Sequence, residues 1–335
     1  MPARFLIIQT AFIGDAILAT ALLEDLHRAW PEARIDLLVR RGNEALFADH
    51  PFINQLLIWE KKSRKYQSLW QLLGQIRATN YKAVLNLQRF GATGLLTAFS
   101  GAAVTIGFDK NPFSNWFTHR IPHQIGPDLT GTNHEVERNN SLLAPLGVPF
   151  YGKPRPKLYP SEADFAYVAR WQTESYVCIA PTSVWFTKQF PASGWVKMIQ
   201  KLHPSLRVYL LGAPGDADVC EQIKTEVGYD RIVNLAGQLS LLQSAALMQG
   251  AHMNYVNDSA PMHLCSAMNA PTTAVFCSTV PAFGFGPLAD NARVVEVNDL
   301  LECRPCNLHG RSACPLGHFR CAYNIQLTDF ITPLS

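Results

Sequence analysis

Short apolar runs alternate along the chain with segments whose apolar residues recur every three or four positions. The first run, 5–8, leads through a loop at 9–14 into a helical pattern from about 15 to 30. Leu18, Leu22 and Leu26 share one face of that pattern, and Pro31 stops it. Strand patterns follow at 35–39, 55–59, 83–87 and 104–107. The segment 63–79 predicts a basic amphipathic helix burying Leu69, Leu72, Leu73 and Ile76, and 134–146 predicts the last helix of this half. Pro149, Pro154, Pro156 and Pro160 then break the periodicity, as an interdomain crossing does. A second series places strands at 176–180, 207–211, 231–234, 253–256 and 272–276. Helices at 194–202, 217–227, 240–248 and 261–268 lie between them. Strand–helix alternation predicts parallel α/β sheets. Two successive doubly wound units predict a ligand in the cleft between them, beyond the carboxyl ends of the strands.

Composition narrows the class. Of 335 residues, 48% are hydrophobic and 16% charged, which excludes a disordered chain or a coiled coil. The net charge of +3 is too small an excess to argue for a nucleic-acid partner. The amino-terminal residues run straight into a strand pattern and carry no export signal. Uncharged stretches at 90–108, 232–251 and 259–289 are interrupted by glycines, amides or prolines, and none reads as a membrane span. Eight cysteines without an export signal point to a reducing compartment.

Gly14 is the only glycine in the loop after the first strand, so a dinucleotide-binding GxGxxG is absent, as is a Walker A sequence. Asp15, beside Gly14, has two readings: an N-cap whose carboxylate accepts backbone N–H bonds, and a general base projecting from a strand–loop–helix corner. The loop 181–191 carries Thr182, Ser183, Thr187 and Lys188 past a strand end, where hydroxyls and an ammonium suit phosphate oxygens. A polar surface loop is the alternative. In 257–263, Asp258, Ser259 and Ala260 precede Pro261, Met262 and His263 at a helix start that can hold an anion on its free N–H groups. The alternative is an ordinary capped helix with His263 in the core. Cys303, Cys306, Cys314 and Cys321, with His309 and His318 between them, have spacing compatible with a closed zinc site or with packed thiols. Cys178, Cys265 and Cys277 lie in apolar segments and read as core.

Three of these motifs resemble glycosyltransferase family nine, the ADP-heptose:lipopolysaccharide heptosyltransferases: 12–15 after the first strand, 181–191 with Thr187-Lys188, and 257–264. The cysteine-bearing end resembles the heptosyltransferase II branch. The resemblance implies a GT-B fold with an acceptor domain at 1–155, a nucleotide-sugar domain at 156–310, and a tail at 311–335 packing near the domain junction. It implies inverting transfer from ADP-heptose to the lipopolysaccharide inner core. Asp15 would be the base, with Gly14 on the acceptor side. Lys188 would touch the donor phosphates, Ser259, Ala260 and Pro261 would form the diphosphate loop, and Asp258 would lie near the donor sugar. His263 would be the histidine of the same helix, and Gly212 and Ala213 the turn beside the nucleoside. The chain departs from the pattern at Gly215, where the family often has Glu, leaving Asp216 as a substitute for the ribose. Phe190 and Ala260 replace a frequent Trp and Gly. No cofactor is required for catalysis on this reading, a structural zinc is open, and nucleic acid is not a partner. The expected place is the cytoplasmic face of the inner membrane, reached through a basic surface of Arg40, Arg41, Lys61, Lys62, Arg64, Lys65 and Arg77. Two rivals stand beside it: a GT-B transferase with another donor or acceptor, and a non-catalytic zinc-containing nucleic-acid binder.

Overall fold

The structure is a computed structural model that describes residues 2–125, 134–149 and 151–330. The chain divides into two compact units, Met1–Tyr159 and Pro160–Ser335. In order, the first contains β1 (Arg4–Ile8), α1 (Ile13–Leu18), α2 (Thr20–Ala29), β2 (Arg34–Arg40), β3 (Ile53–Trp59) and α3 (Lys65–Thr79). It continues with β4 (Ala83–Asn86), α4 (Gly91–Ala98), β5 (Val104–Phe108), β6 (His119–Ile121) and α5 (Glu135–Asn140). Its sheet runs β3-β2-β1-β4-β5-β6, and the strands pair in parallel.

Phe5, Leu6, Ile7 and Ile8 are fully buried because helices cover both faces of β1, so the strand reads as a continuous apolar run. On one face, Leu69, Leu72, Leu73 and Ile76 of α3 and Leu96 of α4 pack against Leu6, Ile8, Leu38 and Val84. The helix expected over 15–30 is broken into α1 and α2, and the Thr20 hydroxyl donates to the Ile17 carbonyl near the break. The helix expected at 134–146 continues past α5 only as a 3₁₀ turn, Ser141–Leu146, containing Pro145, which has no N–H to give. The sequence reading left out α4 and the short edge strand β6.

The second unit contains α6 (Glu162–Val168), β7 (Tyr176–Ala180), α7 (Ala192–Ile199), β8 (Arg207–Leu210), α8 (Ala217–Val227) and β9 (Ile232–Asn234). It ends with α9 (Leu241–Gln249), β10 (Met253–Asn257), α10 (Ala260–Met268), β11 (Thr272–Phe276), β12 (Ala292–Glu296) and α11 (Arg320–Tyr323). Its sheet, also parallel, runs β12-β11-β10-β7-β8-β9. In both sheets the connections reverse direction beside the first strand, between β1 and β4 and between β7 and β10. In open α/β sheets that is where ligands bind. The tail completes the second core: Phe319, Cys321, Ala322, Ile325 and Phe330 join Val177, Trp195 and Val275. Phe330 lies 5.2 Å from the Phe190 ring and 6.0 Å from Trp195. Residues 331–335 of the expected tail lie outside the described residues.

Candidate active site

At the carboxyl edge of the second sheet, three adjacent strands present the loops singled out in the sequence. β10 leads to 258–263, β7 to 181–191 and β8 to 212–216. Asn257, fully buried at the end of β10, ties two of them together. Its amide donates to the carbonyls of Ala180 and Thr182, and its Oδ1 accepts from the Phe190 N–H at 2.8 Å. Phe190 is buried against Trp195.

Lys188 ends a 3₁₀ turn in the β7 loop, and its Nζ lies 2.7 Å from Asp258 Oδ2. The side chains are only 15% and 7% exposed, so this is a largely desolvated pair. The Thr279 hydroxyl donates to the same Asp258 oxygen at 2.7 Å. Thr187 anchors the turn. Its Oγ1 accepts from the Ser278 hydroxyl and the Arg311 N–H, while its own N–H and C=O bond to Arg311 and Ser278. The tail therefore straps the lysine-bearing loop to the end of β11. Arg304 extends the strap: its guanidinium donates to the carbonyls of Phe276, Cys277 and Thr279 and pairs with Glu296. Gly310, at φ +81°, lies so close that a Cβ there would meet Lys188 Cγ at 2.8 Å.

α10 begins at Ser259, whose extended backbone caps the helix without any side-chain bond to its first turn. Pro261 sits inside that turn. The positive end of the helix therefore carries no hydrogen bond from its N-cap side chain. His263 is buried one turn in, on the core side. At β8 the Gly212 carbonyl accepts from Gly237, and the Asp216 carboxylate accepts from the Ala213 N–H at 2.7 Å. Asp216 is thus partly committed to its own turn. Among the donor-side candidates, Thr187, Lys188, Asp258, Ser259 and Ala260 come together. Gly212 and Asp216 stand beyond β7, two strands from β10. The side chains of Thr182 and Ser183 are not part of the bonded cluster. Thr279, Ser278, Arg304 and Gly310 were not singled out from sequence, because no local pattern links them to the β7 loop.

In the first unit Asp15 is not an N-cap. α1 begins at Ile13 with Phe12 as its cap, which places Asp15 in the first turn. It sits half-buried at the carboxyl end of β1. Lys61 donates to the Thr10 carbonyl in the same loop, and burial, with Arg40 and Lys65 nearby, draws its ammonium down to about 8. Asp15 also faces a buried acid. Burial pushes the Glu135 carboxyl up, Arg138 at 2.8 Å opposes this, and the charge of Asp15 adds to the rise. Glu135 and Arg138 were missed because an i,i+3 pair on a short helix has the look of a surface bridge.

The four terminal thiols influence one another: burial raises Cys306, helped by Cys303 and Cys314, and raises Cys321 to about 12, helped by Cys306. Cys303 Sγ lies 3.9 Å from His318 Nε2. Among the described residues no group of three His, Cys, Asp or Glu side chains stands in positions to hold a metal ion. Cys178, Cys265 and Cys277 are buried core thiols.

The model of glycosyltransferase family 9 (heptosyltransferase) matches residues 69–314. Lipopolysaccharide heptosyltransferase 3 of Escherichia coli is 28% identical over 97% of this chain and 98% of its own. Among solved structures, a family 9 glycosyl transferase from Veillonella parvula superposes with a TM-score of 0.78 at 21% identity, over 87% of this chain and 85% of its own. The Escherichia coli heptosyltransferase WaaC with ADP-2-deoxy-2-fluoro heptose gives 0.71 at 21% identity, over 90% and 96%. The fold is therefore GT-B. No helix among the described residues is long and apolar enough to cross a membrane.

Proposed function

Because the chain belongs to glycosyltransferase family 9, the heptosyltransferases, we propose that it moves heptose from ADP-heptose to a sugar of the lipopolysaccharide inner core, with inversion. Membership sets aside a non-catalytic nucleic-acid binder. The observation that carries the reading is the Lys188–Asp258 pair beside the start of α10, which has no side-chain cap bond. The diphosphate leaving group gains negative charge as the glycosidic bond breaks. Lys188 and the N–H groups of Ser259 and Ala260 at the helix start supply preorganised positive potential there, so no divalent ion is needed. Thr182 and Ser183 line the phosphate side, the buried Thr187 holds the lysine-bearing turn from behind, His263 supports the helix start, and Gly212 with Asp216 receives the nucleoside. Asp258 orients Lys188 and lies on the donor-sugar side. Asp15, with Gly14 giving it room, takes the proton from the acceptor hydroxyl as that oxygen bonds to the anomeric carbon. The enzyme works as a peripheral protein on the cytoplasmic face of the inner membrane, where such an acceptor is held.

A second reading, another nucleotide sugar, is favoured by Gly215, which offers no carboxylate to a ribose, and by the engagement of Asp216 with Ala213. One experiment separates them: incubation with a panel of nucleotide sugars and truncated lipopolysaccharides, with products read by mass. Addition of one heptose from ADP-heptose alone supports the first reading. Transfer from a different donor, or no transfer to any truncated core, overturns it.

A further inference from the structure

The 3₁₀ turn that ends in Lys188 is entered through Trp185, a side chain that the packing of the fold does not explain. Its backbone is fixed. The Trp185 carbonyl accepts from the Lys188 N–H at 3.0 Å, and the Gln189 amide donates to the Ser183 carbonyl at 2.6 Å across the same loop. Thr187 is held from the tail by Arg311. The indole is not fixed. Trp185 is 38% exposed, and among the described residues no ring contact or hydrogen bond holds its side chain. Its neighbours differ. The Phe186 ring lies 5.1 Å from Phe319 in the tail, and Trp195 is fully buried and donates to the Pro181 carbonyl. A free indole on a rigid turn offers a large contact face at little cost in conformational entropy.

Two observations say which part of a nucleotide sugar this face meets. A Cβ on Gly310 would meet Lys188 Cγ at 2.8 Å and Trp185 Cβ at 3.0 Å, so the stems of both side chains lie against one point of the tail. The indole and the ammonium therefore leave the turn side by side. The turn is also tied to one flank of the site: Thr187 bonds to Ser278 past the end of β11, whereas Gly212 and Asp216 follow β8. In the strand order β11 and β8 lie on opposite sides of the β10–β7 pair. With the nucleoside on the β8 side and the diphosphate at Lys188, what remains on the β11 side is the sugar. A pyranose ring gathers C–H bonds on one face, and the negative face of an indole attracts them. We propose that Trp185 is the stacking platform for the transferred sugar, and so a residue that sets the specificity of the donor site. This deepens the donor reading given above and rests on it.

The test compares ADP with ADP-heptose, bound to the full chain by calorimetry with no acceptor present. Trp185→Ala should weaken ADP-heptose binding by about tenfold and ADP binding by less than about twofold, because only the sugar touches the ring. Trp185→Phe keeps an aromatic face and should retain most of the affinity for ADP-heptose. Lys188→Met, by contrast, should weaken both ligands. Fluorescence gives a second readout. The chain has seven tryptophans, so the Trp185 signal is the native emission minus that of Trp185→Phe. That signal should change with ADP-heptose and not with ADP. Equal losses for the two ligands in Trp185→Ala would assign the residue to the nucleotide or to the shape of the turn, and overturn the proposal. So would unchanged ADP-heptose affinity, a Trp185→Phe variant as weak as Trp185→Ala, or a Trp185 signal blind to the sugar. If the donor panel returns another nucleotide sugar, that sugar and its nucleoside diphosphate replace the pair above. Loss of the ADP-heptose reading is thereby separated from loss of the stacking platform. Transfer from no donor at all would overturn both.

Discussion

Lys188 has two tasks on this reading, and a substitution pair separates them. The first task is to neutralise Asp258, whose side chain is 7% exposed. Lys188→Met keeps most of the side-chain stem that lies against Gly310 but removes the ammonium. Asp258 then remains buried with only the Thr279 hydroxyl on its oxygen. Breaking a buried pair from one side costs about 3–5 kcal/mol, and the residual hydroxyl bond places the expected loss near 3. The second task is to bind the donor diphosphate. A charge-assisted contact is worth about 1.5–3 kcal/mol, so ADP affinity should fall by about 10- to 150-fold. Lys188→Met/Asp258→Asn removes both charges and leaves an amide oxygen for Thr279. Stability should then recover by most of the loss, while ADP affinity stays low. Hydrogen exchange of β7 and β10 amides in urea reports the stability of the second unit alone, and calorimetry reports ADP binding. If the double variant binds ADP as tightly as the native chain, Lys188 does not touch the donor. If Lys188→Met loses no stability, the pair is not the anchor described above.

Asp15→Asn should cut turnover by ~10²–10⁴-fold with ADP affinity unchanged, as measured by product formation and calorimetry; near-normal turnover would remove Asp15 from the mechanism. Gly310→Ala forces a side chain into φ +81° and against Lys188 Cγ. It should cost about 1 kcal/mol or more and weaken ADP binding; unchanged affinity would show that the tail does not set the lysine. Burial lowers His50 and His123 to about 4, so the unfolded chain binds more protons than the native one between pH 6.5 and 4. The first unit should therefore lose stability as pH falls through that window, by up to about 1.4 kcal/mol per pH unit for each histidine. The raised carboxyls of Glu24 and Glu135 offset part of this, so the histidine share is read as the difference between native and His123→Gln slopes. Equal slopes would refute it. If Cys303, Cys306, Cys314 and Cys321 close on a structural zinc ion, elemental analysis of protein purified without added metal should find close to one equivalent. Less than about a tenth would return them to packed thiols, given how tightly closed thiolate sites hold zinc.

The alternation of strands and helices was written in the chain itself. Strands such as β1 and β7 are buried on both faces and so appear as unbroken apolar runs. The loops at 181–191 and 257–263 were legible for the same reason, since polar residues after a buried strand mark its carboxyl end. Elements with weak local signals were not. α4 holds Gly91 and Gly94 and is apolar on nearly every side, while β6 and β12 are edge strands that need a neighbour to exist. Which residues meet was decided only by the tertiary structure. Lys188 and Asp258 are distant in sequence and are brought to 2.7 Å because β7 and β10 pair with Ala180 opposite Val256. Thr279 reaches Asp258 from the end of β11, and Arg304, Gly310 and Arg311 come back from the tail to hold the loop. Asp15 was legible as an acidic residue at a strand–helix corner, but its place inside the first turn comes from where α1 starts, and the rise its charge gives the buried Glu135 follows from where α5 packs. Local propensity acts over a few residues, whereas register and packing join residues far apart in the chain, so the chemistry-bearing residue types were visible in the sequence and their partners were set by the sheets.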